Sequence, residues 1–304
     1  MKKGAVLKSS NKRSLFLAIV MAVTLIFSSS ARAVPNTGMS YTALGDSIAY
    51  GTGATDFYGY TAMLNDYLTE TRGPNQNEKW NLAQNGLTSR GLLLSLDRDP
   101  DVREQVSSSD IITVSISGND LLRPYTQALA FLVIQNYKDI PTLTRDLARW
   151  EENPGDLVQL ANVRFQEMFL HLMAREFPDA VNGFADNWKE IIRTLRQLQP
   201  DAEIYVSTLL NPFPKDRQMH DLADPYIRII NAIIQTAGAS VGLDYTVVDV
   251  YSRFESSRNK SALIPASLID LAFPGVGSEE VRVPLHPTDR GYKVIFDLHK
   301  DAMK

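Results

Sequence analysis

The sequence predicts an α/β protein with a mostly parallel sheet, and three observations carry that prediction. Short apolar or β-branched runs end at glycine or at Asn-Pro, and stripes at helical spacing lie between them. The third is composition: 44% hydrophobic and 22% charged over 304 residues, which is that of a globular protein. Strands separated by helices pair in parallel through right-handed crossovers. The chain has no cysteine, which excludes a disulfide framework, a thiolate nucleophile and a Cys-ligated metal. Its four histidines (His171, His220, His286 and His299) are too dispersed to read as a metal cluster, and no metal or organic cofactor is implied.

The first segment does not belong to the fold. Lys2, Lys3, Lys8, Lys12 and Arg13 precede an apolar run from Leu15 to Phe27, and Ala31-Arg32-Ala33 follows. Basic region, apolar core and A-x-A site are the parts of a secretory signal peptide, predicting cleavage after Ala33 and an exported chain of residues 34–304. The run is too short for a spanning helix, which needs about 20 apolar residues, so no stable membrane span is expected after cleavage. Removing six basic residues takes the net charge from −4 to −10. So acidic a surface argues against nucleic acid as a partner, because polyanions need clustered Lys and Arg. Oligomeric state is not legible.

Five strands follow. Tyr41–Leu44 stops at Gly45, and Trp80–Ala83 follows the turn-rich Gly73–Asn77. Asp110–Ser117 is β-branched and ends at Gly118, Ala202–Leu209 is closed by Asn211-Pro212, and Asp244–Val250 is the fifth. Tyr60, Met63, Leu64, Tyr67 and Leu68 make one helical face; Ile191, Ile192, Leu195 and Leu198 make another. Ile227, Ile230, Ile233 and Ile234 make a third, ending near Gly238. Residues 121–200 are too long for one crossover and read as a helical insertion between strands 3 and 4. Helices are predicted over Thr126–Asn136, Leu143–Glu152, Leu157–Glu176 and Val181–Gln199. The insertion is either a helical subdomain packed on the sheet or a cap building a substrate pocket.

Ligands of parallel sheets bind outside the carboxyl ends of the strands, and three motifs fall there. Gly45-Asp46-Ser47 follows the first strand, Gln84-Asn85-Gly86 the second and Gly118-Asn119-Asp120 the third. A fourth, His286 in PLHPTDRGY, precedes a final helix. A serine at a strand-to-helix turn is exposed, and helix-start N–H groups favour developing negative charge. It needs a base, for which His286 is the best candidate. Backbone N–H groups of Ser47 and Gly86, with the Asn119 amide, would supply three donors to an oxyanion.

Gly45-Asp46-Ser47, Gly86, Gly118-Asn119-Asp120 and His286-Pro287, in that order, resemble the SGNH or GDSL hydrolase superfamily of lipases and esterases over about residues 40–295. The resemblance implies a flavodoxin-like three-layer α/β/α sandwich. It also implies a serine hydrolase acting on small-molecule or lipid esters, with Ser47 as nucleophile, His286 as general base, and Gly86 and Asn119 in the oxyanion hole. Related members deacetylate carbohydrates or act as lysophospholipases or thioesterases. The family's aspartate three residues before the histidine is here Val283. A nearby backbone carbonyl, Glu279 or Glu280, or Asp289 would have to orient the ring. Loss of that acid is the argument for an inactive binding protein on the same fold.

Other residues have plainer readings. Asp46 and Asp120 read as loop and turn residues, and Asp289 as a cap of the final helix. His220 reads as exposed, and His171 and His299 as structural. Tyr50, Phe57 and Tyr58 either line the pocket or pack in the core.

Overall fold

A computed structural model describes residues 38–123, 163–215, 218–241, 244–265 and 285–304. Four parallel strands, β1 (Tyr41–Gly45), β2 (Ile111–Ser115), β3 (Glu203–Ser207) and β4 (Thr246–Val248), form one sheet in the order β1-β2-β3-β4. Tyr41 pairs with Ile111, Ile111 with Glu203, and Tyr205 with Thr246. The helices are α1 (Ser47–Tyr50), α2 (Tyr60–Arg72), α3 (Ser89–Arg98), α4 (Pro100–Ser107), α5 (Val163–Leu198), α6 (Gln218–Val241), α7 (Val250–Glu255) and α8 (Asp289–Ala302).

Alternation along the strands sends side chains to two cores. Leu44, Ile112, Val114, Ile204 and Val206 pack with Leu92 and Leu96 of α3, Val102 and Val106 of α4, and the stripes of α5 and α6. Tyr41, Ala43, Ile111, Tyr205 and Val248 pack on the other face with Leu64 and Leu68 of α2, Phe254 of α7 and Tyr292 and Ile295 of α8. Helices thus cover both faces, the arrangement a buried parallel sheet requires.

The sheet has four strands, and of the five expected the second, Trp80–Ala83, is not one. It runs along the free edge of β1, where Ala43 N–H donates to Trp80 O (2.7 Å) and Leu82 N–H to Ala43 O (2.9 Å). Only the pair Ala43–Asn81 forms a bridge. Gln84 N–H donates to Gly45 O (3.0 Å) beyond it, and on the outer edge Asn81 Oδ1 accepts the Ala83 N–H at 3.1 Å, an Asx-type bond.

A second correction concerns the insertion. The sequence suggests two helices meeting near Pro178, but α5 is continuous through it. Phe177, Val181, Phe184, Trp188, Ile191 and Leu195 form one unbroken buried stripe. Burial along that stripe outweighs the roughly 3 kcal/mol that an interior proline costs. The helices expected at Thr126–Asn136 and Leu143–Glu152 lie outside the described residues, as does the leader. α6 likewise continues past Gly238 to Val241.

Candidate active site

Ser47 opens α1 because the turn before it admits no other path. Gly45 ends β1 at φ 143°, and a Cβ there would lie 2.0 Å from Ser115 O. Asp46 is extended and caps α1: its Oδ1 accepts the Ile48 N–H at 3.0 Å, and its own N–H donates to Ser115 O at 3.0 Å. Only 3% of Asp46 is exposed. That burial pushes its carboxyl up to about 7, against the pull of the Ile48 N–H and with a push from the Asp120 charge.

His286 arrives from the far end of the chain. Thr288 caps α8 by accepting the Gly291 N–H (3.2 Å), and its own N–H donates to Leu263 O (2.9 Å). The Nε2 atom of His286 lies 2.7 Å from Ser47 Oγ, full hydrogen-bond contact between residues 239 positions apart. Gly53, at φ 94°, makes room for it: a Cβ there would sit 2.9 Å from His286 Cβ and 2.8 Å from Pro287 O. The sequence reasoning missed Gly53, although the doubled glycine of Gly51-Thr52-Gly53 was a signal.

Gly86 has φ 76°, a conformation that favours glycine, with open space where a Cβ would stand. Its loop is held at several points. Thr52 Oγ1 donates to Asn85 Oδ1 (2.6 Å), and Asn119 Nδ2 donates to Leu87 O (3.0 Å). Asp120 accepts both the N–H (2.9 Å) and the Oγ–H (2.6 Å) of Ser89. Asn119 spends one of its two amide hydrogens on Leu87 and retains the other. No hydrogen bond among the described residues occupies the N–H of Ser47 or of Gly86.

Among the described residues, four that are not glycine have positive φ: Asp56 (52°), Phe57 (56°), Ser117 (117°) and Leu285 (63°). They fall after Ser47, just before Asn119 and just before His286. Strain of about 1–3 kcal/mol each persists only where the surroundings over-determine the backbone. Here it falls in the loop that follows α1 and in the loops that lead to Asn119 and His286.

The remaining candidates fall elsewhere. Asp289 is the first residue of α8 rather than its cap, and its oxygens accept from Thr55 N–H (2.7 Å) and Thr55 Oγ–H (2.8 Å). It clasps the loop after Ser47 to the end of the chain that carries His286. Val283, Glu279 and Glu280 lie outside the described residues. His220 is buried, not exposed, because it pairs with Glu255 at 3.1 Å. With Asp224 it forms a group whose ligand-type atoms lie within 4.8 Å of one another. Its carboxylates are already taken by Lys260 on Glu255 and by Arg228 on Asp224. His299 is fully buried and stacks on Tyr60, with ring centroids 4.8 Å apart. Burial lowers its pKa to about 4. A neutral ring fits both neighbours: Nδ1–H donates to Ile295 O (2.9 Å) and Nε2 accepts from Ser207 Oγ (3.2 Å). His171 lies on α5.

A parallel α/β sheet with a serine–histidine contact at its carboxyl edge invites comparison with known hydrolases. Residues 43–294 match the GDSL-like Lipase/Acylhydrolase family. The chain belongs to that family. The hydrolase is 37% identical to the spore germination lipase LipC of Bacillus licheniformis, over 87% of this chain and 96% of that protein. It is 24% identical to the protein YpmR of Bacillus subtilis over 56% of its own length and 51% of that protein's. Among solved structures it is similar to a lipase from a goat rumen metagenome, at 23% identity and a TM-score of 0.53, over 87% of this chain and 97% of that one. It is also similar to phospholipase A1 of Streptomyces albidoflavus, at 15% identity and a TM-score of 0.55, over 87% and 99%. The hydrolase is therefore an ester-hydrolysing enzyme on an α/β fold with a parallel sheet. No helix among its described residues is long and apolar enough to cross a membrane.

Proposed function

We propose that the hydrolase is an exported serine lipase or esterase working through an acyl-enzyme on Ser47. The observation that carries this is the 2.7 Å contact between His286 Nε2 and Ser47 Oγ. With Nε2 unprotonated, the ring accepts the serine proton as Oγ attacks the ester carbonyl. The oxyanion is received by the N–H groups of Ser47 and Gly86 and by the remaining amide hydrogen of Asn119. His286 then protonates the departing alkoxide, and a water that gives its proton to the same nitrogen releases the acid. The backbone bonds of Trp80, Leu82 and Gln84 along the β1 edge support the strand order of a flavodoxin-like, three-layer α/β/α sandwich. The basic leader and A-x-A site support export. The name of the Bacillus licheniformis relative favours a lipid ester with an apolar chain as substrate.

Initial rates on p-nitrophenyl esters from acetyl to palmitoyl test the reading. Ser47→Ala and His286→Ala should each lower kcat by about 10⁴ or more. Near-normal rates in either folded variant would remove that residue from the chemistry.

A further inference from the structure

The three loops around Ser47 leave one feature that the proposed chemistry does not use. The described residues contain five exposed large hydrophobic side chains, and three of them, Tyr50 (39%), Phe57 (57%) and Tyr58 (46%), follow the nucleophile within eleven positions. The core-packing reading of these aromatics is therefore wrong. Tyr50 stands three residues after Ser47 on α1, and positions i and i+3 share a helix face. The rings of Tyr50 and Phe57 meet edge to face, with centroids 5.5 Å apart.

This placement is held against cost. Asp56 and Phe57 are consecutive residues in the left-handed region, which non-glycine residues enter only at an energetic penalty. Several contacts enforce it. Asp289 grips Thr55 by N–H and hydroxyl, Phe57 N–H donates to Ala54 O (3.1 Å), and Gly59 N–H donates to Phe57 O (2.8 Å). A Cβ on Gly51 would lie 2.3 Å from Phe57 O, so the start of the loop is fitted to its end. A chain that merely needed to leave α1 for α2 would have no reason to hold a large apolar ring in water on a strained backbone. The clasp runs from this loop to α8, three residues beyond His286, so the ring is fixed relative to the serine–histidine pair.

We infer that Tyr50 and Phe57 form an aromatic ledge on which the alkyl chain of a single bound ester lies while its carbonyl sits at Ser47. This rests on the catalytic reading above and adds the residues that select among esters. The occupant follows from position: the ledge starts one helical turn from the nucleophile, so an alkyl chain extending from the scissile carbonyl is the apolar group delivered to it. A six- or eight-carbon chain should therefore gain from Phe57, and a two-carbon acyl group should not.

The experiment uses monomeric esters below their solubility limits, so that no lipid surface is present. The ratio of kcat/KM for p-nitrophenyl hexanoate to that for the acetate reads the acyl arm; hexyl acetate against ethyl acetate reads the alcohol arm. Phe57→Asn removes the ring while suiting the left-handed backbone, and Phe57→Leu keeps an apolar side chain. The ratio should fall about tenfold in Phe57→Asn in one arm, and by less in Phe57→Leu. The arm that responds assigns the chain to the acid or the alcohol. Unchanged ratios in both arms, or a loss seen only on emulsions or vesicles, overturn the ledge. Calorimetric binding of octanoate to Ser47→Ala, with and without Phe57→Asn, reads the surface without turnover. Equal binding by both overturns the ledge even if catalysis stands. Wild-type protein that hydrolyses none of the esters, yet binds octanoate in a Phe57-dependent way, removes the catalytic reading and keeps the ledge.

Discussion

Asp46 shows how much structure one residue beside Ser47 can carry. Its side chain caps α1, its N–H holds the turn to β2, and its carboxyl is almost wholly buried. A buried carboxyl raised to about 7 keeps a proton in the native state that the unfolded chain releases near pH 4. Its contribution to stability is therefore full below about pH 4 and is lost as the pH rises through 7. Asp46→Asn keeps an oxygen for the Ile48 N–H and removes the titration. Its stability in urea relative to wild type should improve between pH 4 and pH 8, by up to a few kcal/mol. A difference that does not change with pH would mean that Asp46 titrates as an ordinary carboxylate. His299 acts in the opposite sense, since its folded-state pKa near 4 makes the fold lose stability as the pH falls below about 6.5. At this scale the sequence was partly legible: Ser47, Gly86, Asn119 and His286 stand out by residue type and order. Gly53 and the Asp289–Thr55 clasp do not, because each matters only through a contact between distant parts of the chain.

Among the elements, the loops at the carboxyl ends of the strands are built as pairs. Asn119 joins the loop after β2 to the one carrying Gly86 through Leu87 O, and Asp120 doubles the link through Ser89. On the proposed mechanism, Asn119→Ala removes one oxyanion donor but leaves the Asp120 link in place. It should cost on the order of 10²–10³ in kcat with KM little changed. A change confined to KM would make Asn119 a binding residue. Elements were legible where a stripe was long, as in α2, the second half of α5 and α6. They were less so where a cap defines a short helix: Asp99 and Pro100 begin α4 in the N-cap and first positions, yet only two apolar residues, Val102 and Val106, follow before Ser107. Trp80–Ala83 pairs with β1 through a few backbone bonds and a single bridge, too little to count as a strand, although its composition suits one. Pro178 was misread as a boundary because local propensity carries no knowledge of the stripe that α5 buries across it.

For the whole molecule, alternating strands and helices and four ordered motifs sufficed to anticipate a parallel α/β hydrolase, since sheet topology places the carboxyl ends of β1 and β2 side by side. They left open whether Tyr50, Phe57 and Tyr58 line the pocket or pack in the core. That depends on the left-handed turn at Asp56 and Phe57, which nothing local in the sequence marks. The central claim is that Ser47, activated by His286, is the nucleophile. The most direct test is to treat the folded protein with a fluorophosphonate and locate the adduct by mass spectrometry. The account predicts a single adduct on Ser47, with labelling slowed by several orders of magnitude in His286→Ala. An adduct on another residue, or none on protein that remains folded, would contradict it.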